Sequence, residues 1–147
     1  MEITIRTDQI KILEDFFQSL GTTDQRKIFT AGFKKAAKPL LDAMKANVPV
    51  KTGSLRKSLG SAMESGTISI LVGARTFGAH KGYHGHLVEH GTNNRFRKNG
   101  GATGKVQGTH FVDKSFYDTE KQVYGAITDE WYNEIDKFII RTNTKLK

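Results

Sequence analysis

The sequence predicts an α+β fold in which N-terminal helices and a long C-terminal helix pack on a small, mainly antiparallel sheet carrying one long flexible loop. Three observations lead there. Apolar residues recur at helical spacing towards both ends of the chain, a short central segment alternates with the two-residue period of a strand, and a glycine- and asparagine-rich stretch separates that segment from the last helix. Helices flanking a separate group of strands indicate a layered α+β arrangement, because a parallel α/β sheet would need the two kinds of element to alternate. The 147 residues are the size of a single domain with one modest core.

Residues 1–21 read as an N-terminal extension. Glu2 to Arg6 alternates around Ile3 and Ile5 and suits a short strand, and Ile10, Leu13, Phe17 and Leu20 mark a helix from Asp8 to Leu20 that Gly21 would end. Thr22 and Gln25 have the spacing of a capping box, so a second helix is expected over 22–48. Its apolar stripe is Ile28, Phe29, Phe33, Ala36, Ala37, Leu40 and Met44. Pro39 removes a backbone hydrogen bond inside this stripe and predicts a kink or break near Lys38, and Pro49 lies beyond the helix end.

Residues 49–91 form the expected sheet region. Pro49 to Leu59 begins as a turn and continues as a helical turn or as a strand, and the residues do not choose between them. Thr67 to Gly73 alternates Ile68, Ile70 and Val72 with small or polar residues and is the clearest strand. Ala74 to Gly85 is a connector, and His86 to His90 a short apolar-centred segment stopped by Gly91. The flexible loop covers 92–110; between Thr92 and Gly108 only Phe96 and Val106 are large apolar groups, too few to order the segment by burial. The last helix follows over 111–140, with Phe116, Val123, Ile127, Trp131, Ile135 and Phe138 on one face, and a basic, frayed tail ends the chain.

Composition narrows the functional classes. No cysteine is present, which excludes a disulfide framework, a thiolate metal site and a cysteine nucleophile. No apolar run approaches the ~20 residues of a membrane-spanning helix, and Met1 to Arg6 does not read as a signal peptide, so a soluble, unexported protein is expected. A net charge of +8 permits attraction to DNA, to an acidic membrane surface or to an acidic protein, or simply gives a solvated basic surface.

The chemistry-bearing motifs are few. His86, Leu87, Val88, Glu89 and His90 spell H-x-x-E-H, the pattern in which two histidines four apart bind zinc and the glutamate activates the metal's water. That geometry needs two to three helical turns, whereas Gly85 and Gly91 bound the segment closely, so ordinary loop or edge-strand histidines are the simpler reading. His80, His84, His86 and His90 are nonetheless dense enough for a structural metal to be considered. No G-x-S-x-G is present, and Gly100, Gly101 and Gly104 lack the Lys-Ser or Lys-Thr pair of a phosphate loop. Arg95, Phe96, Arg97, Lys98 and Lys105 could instead meet phosphates or order against another protein. In Pro49 to Ser58 the proline stops the helix, Gly53 permits a strained turn, and Thr52 and Ser54 can bond the local backbone, an architectural device without a partner for acid–base work.

Taken in order, Pro49-x-Lys51-Thr52-Gly53-x-Leu55-Arg56-x-Ser58, then Val88-Glu89-His90-Gly91-Thr92, then a loop and Phe111 ahead of the last helix, resemble the gene-ten-product-like tail-component family of lambdoid phages. The likeness covers about residues 25–140. It departs where the family enters its last helix through Pro-Phe and Pro-Ala pairs, replaced here by His110-Phe111 and Lys114-Ser115. The resemblance implies a structural virion protein of the neck, a tail-completion subunit that forms a sixfold ring joining head to tail. It implies no enzyme activity and no cofactor. The implied partners are further copies of the chain, neighbouring neck and tail proteins and DNA in the ring lumen, with no membrane. Glu89 is then expected as a buried or interfacial carboxylate held by backbone N–H groups or by Arg56, and Arg95, Phe96, Arg97, Lys98 and Lys105 as loop contacts. The competing functions are a zinc-dependent hydrolase using His86, Glu89 and His90, and a small basic DNA-binding module.

Overall fold

The computed structural model describes residues 18, 21–77 and 81–145, with side chains as far as Arg141. The strand expected over Glu2 to Arg6, the helix expected over Asp8 to Leu20 except for the helical Gln18, and His80 lie outside the described residues.

Helix α1 spans Thr22–Asn47. Its N-cap is Gly21 with no side-chain cap hydrogen bond, so the expected Thr22 capping box does not form, and the Gly21 carbonyl instead accepts from the N–H groups of Asp24 and Gln25. Pro39 lies inside the helix without breaking it. The carbonyl that Pro39 leaves without a donor belongs to Lys35, an exposed residue to which water has access, and this lowers the cost of continuing the helix. Ile28, Gly32, Ala36, Ala37 and Met44 are its buried residues, and Val48 follows in extended conformation, ahead of Pro49.

The chain then makes the short helix α2, Ser54–Ser58, and the two-stranded antiparallel sheet β1, Leu59–Met63, with β2, Ile70–Ala74. Of the two possibilities left open after Pro49, both are used in turn: a helical turn, then a strand. The register pairs Leu59 with Ala74 and Met63 with Ile70. The second strand therefore starts three residues later than its alternation suggested, because Thr67 and Ser69 are spent in the turn, where both hydroxyls donate to Glu64 Oε2 at 3.0 and 2.6 Å. Those bonds favour the ionised carboxylate and hold the Glu64 carboxyl below its ordinary pKa, Ser69 contributing most and Thr67 next.

Helix α3, Gly85–His90, a hairpin of β3, Arg95–Phe96, and β4, Ala102–Gly104, and the long helix α4, Phe111–Lys145, complete the chain. α1 and α4 run antiparallel, as three cross-contacts show: Asn47 Nδ2 donates to Ser115 Oγ at 3.0 Å, Lys35 pairs with Glu130 at 3.6 Å, and Gly32 faces the Trp131 indole. In the first half of α4 the buried face is Phe111, Ser115, Thr119 and Val123. The apolar pattern had placed Phe116 on that face, but Phe116 is 37% exposed. Two small hydroxyl residues take the interior instead, because each satisfies its own polar group, Ser115 by donating to Phe111 O and Thr119 by donating to Ser115 O. The core centres on Met44, Val48, Leu55, Leu59 and Phe111, with Leu40, Leu41, Val72, Ala74, Val88 and Val112 packed around them.

Candidate interaction site

Pro49 to Ser58 turns the chain from α1 into the sheet. Gly53, the N-cap of α2, takes the left-handed conformation at φ 75°, where a side chain would be strained. Thr52 Oγ1 donates to Ser54 Oγ at 3.2 Å, Leu55 drops into the core, and the buried Ser58 hydroxyl donates to Leu55 O at 2.7 Å. Pro49, Thr52 and Arg56 stay exposed. Leu55, Val88 and Phe111, one from each of the three segments singled out in the sequence, meet in the same core cluster.

Glu89 is the hinge of this arrangement. It is 5% exposed, and its carboxylate accepts from the backbone N–H of Val112 at 2.9 Å (Oε2) and of Asp113 at 3.3 Å (Oε1), while its own carbonyl accepts from His110 N–H at 3.0 Å. The side chain thus does for α4 what an N-cap residue does locally, satisfying free N–H groups with a negative charge at the positive end of the helix. Arg56 is exposed, and the carboxylate is held by backbone donors. His110, at the position before the helix, sits at φ 49°, an unusual conformation for a residue with a side chain.

The H-x-x-E-H residues form a six-residue helix instead of the loop or edge strand expected of them, and Gly91 ends it. Glu89 is turned away from the role of a metal's base, because both its oxygens are taken by α4. Among the described residues Glu89 groups with His110 and Asp113, whose ligand atoms lie within 4.8 Å of one another, and not with His86 and His90. A cation there would face the positive end of the α4 dipole, and two of the three side chains are solvent-exposed. The cluster is accounted for as the capping network of α4.

From this root the segment 92–108 projects as an arm. Its expected disorder is replaced by the β3–β4 hairpin, with Arg95 opposite Gly104 and Phe96 opposite Ala102. Backbone pairing orders it, since every residue from 93 to 107 is exposed. Gly91 closes the root at φ 81° and ψ −166°, a region open essentially to glycine alone, and a Cβ there would lie 2.6 Å from Val106 O. Thr92 N–H donates to Val106 O and Thr92 Oγ1 accepts from Val106 N–H, each at 2.9 Å. Arg95, Phe96, Arg97, Lys98 and Lys105 all stand on this arm, exposed to solvent.

One surface was missed in the sequence. Tyr117, Tyr124 and Tyr132 on α4 are 73%, 56% and 65% exposed, on the side away from α1. Their spacing of seven and eight residues is the signal the sequence carries, masked by the stronger apolar periodicity of the face that the helix buries.

No curated protein and no solved structure matches the chain significantly. A family model does, the HK97-gp10-like family, "Bacteriophage HK97-gp10, putative tail-component", over residues 11–91. The matched span takes in α1, the Pro49 to Ser58 turn and α3 as far as Gly91, and stops where the arm begins. It covers more than half of the sequence, and the chain belongs to this family of phage tail components.

Proposed function

We propose that this chain is a tail-completion subunit of a tailed-phage neck, assembling into a sixfold ring that joins head to tail. Its family, a structural tail component, supplies the class. The observation that carries the finer reading is the arm: fifteen consecutive residues, 93–107, are all solvent-exposed, while Gly91 and Glu89 tie their root to the body of the subunit. A protrusion tied at its root and exposed along its length is suited to docking on a neighbour. Its four cations, Arg95, Arg97, Lys98 and Lys105, have no acidic residue between them. Neighbouring neck and tail proteins, and DNA in the ring lumen, are the other partners in this reading. No helix among the described residues is long and apolar enough to cross a membrane.

Electron microscopy of particles made while this gene is silenced tests the proposal. DNA-filled heads beside separate tails are expected; complete virions would overturn it.

A further inference from the structure

The arm needs a receiving surface, and α4 carries one whose chemistry matches it. At 100° per residue, with the exposed Lys114 and Lys121 between the two rows towards the N-terminal end, Tyr117, Tyr124 and Tyr132 fall within about 80° of one another on the exposed side of the helix, and Asp118, Asp129 and Asp136 form a row within about 20°, about a quarter turn away. All six are exposed, and among the described residues none of the three aspartates is in an ion pair. The arm presents the converse: Arg95, Arg97, Lys98 and Lys105 unpaired among the described residues, with Phe96 67% exposed between them. The lengths agree as well. Tyr117 to Tyr132 spans about 22 Å of helix, and the arm, about eight residues from root to tip, reaches about 26 Å.

Resting on the ring reading above, we propose that the basic arm of one copy lies along the tyrosine–aspartate face of α4 in the next copy. Guanidinium groups stack on the tyrosine rings and pair with the aspartates, and Phe96 packs against the tyrosine rings. The two surfaces differ, so each subunit gives an arm on one side and accepts one on the other, the head-to-tail contact that closes into a ring. From Asp129 to Asp136 the helix carries no basic residue, and this acidic stretch disfavours DNA and favours a protein as the occupant of the face.

Charge exchange tests it. One variant carries D118R, D129R and D136R, the other R95E, R97E and K98E; all six positions are exposed, and circular dichroism confirms that both remain folded. Ring formation is read by native mass spectrometry and by electron microscopy of tails assembled with each protein. Each variant alone is expected to lose at least about tenfold in assembled ring, since like charges then face each other, and an equimolar mixture is expected to recover it through an alternating ring. A variant that assembles like the parent overturns the interface while leaving the ring intact. Folded variants that fail alone and also fail in the mixture assign the arm to another protein or to DNA. A parent chain that forms no ring, free or on tails, removes the ring reading itself. Because the chain contains no cysteine, F96C combined with Y124C gives a second measurement: oxidation should yield a ladder of multimers from the double variant and none from either single one. A disulfide-linked dimer from a single variant, the most that one thiol per chain can form, would mean a symmetric contact and would equally overturn the proposal.

Discussion

Replacing Gly32 with alanine pits two effects of opposite sign against each other. In the interior of an exposed helix the change would stabilise by about 1 kcal/mol, because glycine sacrifices more backbone freedom on folding. Gly32 is buried, however, and a Cβ built on it lies 2.2 Å from Trp131 Nε1 and 2.5 Å from Cδ1. The indole cannot slide away freely, since Phe29 and Phe33 hold it edge-on with ring centroids at 5.1 and 5.9 Å. Overpacking costs about 1–3 kcal/mol, and a 2.2 Å approach belongs in the upper half of that range, about 2–3 kcal/mol, which outweighs the gain in propensity and leaves a net loss of about 1–2 kcal/mol. In a thermal melt the midpoint should fall by roughly 2–8 °C. The control is the same substitution in a W131L background, where the clash is gone and the alanine should become neutral or stabilising, a non-additivity expected only of residues in contact. A Gly32→Ala protein as stable as the parent with Trp131 present would refute the close approach of α1 and α4 on which this reasoning stands.

Four further outcomes follow from the same packing. Glu89→Ala should destabilise by about 1–3 kcal/mol in urea titration, because two N–H groups at the start of α4 lose their acceptor, and Glu89→Gln, which keeps an acceptor oxygen, should lose less. Gly91→Ala should cost about 2 kcal/mol or more through strain and the contact with Val106 O, with faster hydrogen exchange at Thr92 and Val106 as its local sign. Replacing residues 95–104 with a short turn should leave stability within about 0.5 kcal/mol of the parent while abolishing head-to-tail joining, a separation that a core role for the arm would not produce. By NMR titration Glu64 should ionise below its ordinary pKa, and Ser69→Ala should bring it back up; since the folded-state value is the depressed one, the small stabilisation of that turn is present above the unfolded-state pKa and fades as pH falls through the folded one.

The fold class and both long helices were legible because their information is periodic: Ile28 to Met44 and Val123 to Phe138 repeat at the helical interval whatever they pack against. The start of α1 at Thr22 is as expected, but its cap is not, because Thr22 and Gln25 satisfy a pattern that Gly21 pre-empts by becoming the cap itself. The apolar pattern puts Phe116 inside, but Ser115 and Thr119 can satisfy their hydroxyls on the backbone one turn earlier and so occupy the buried face in its place. The arm's order was invisible for a different reason. Residues 92–108 carry too few apolar groups to order by burial, and the hairpin is held by main-chain pairing that no side-chain pattern announces. Glu89 was recognised as a carboxylate needing donors, yet its partners are the N–H groups of residues 23 and 24 positions away, a pairing that only the fold brings about.

That pairing bears on how a ring could close. In a head-to-tail ring the angle between the surface a subunit offers and the surface it accepts must be the same in every copy, or the assembly opens into a spiral. Here the offered surface would be the arm, which leaves the chain at Gly91, and the accepting surface would be α4, which begins at Phe111. Both are tied within one turn of backbone: the Glu89 carboxylate binds the first turn of α4, the Glu89 and Val88 carbonyls accept from His110 and Thr109, and Gly91 pairs with Gln107 at the arm's root. A Cβ at Gly108 would lie 2.6 Å from the Glu89 carbonyl, so the two passes of the chain touch there with no side chain between them. Backbone contact of this kind has little freedom to tilt, unlike a contact made by long side chains. The short Val88-Glu89-His90-Gly91 segment would therefore set an angle, which is a reason for a structural subunit to place a buried carboxylate and a glycine in ε-conformation near one another.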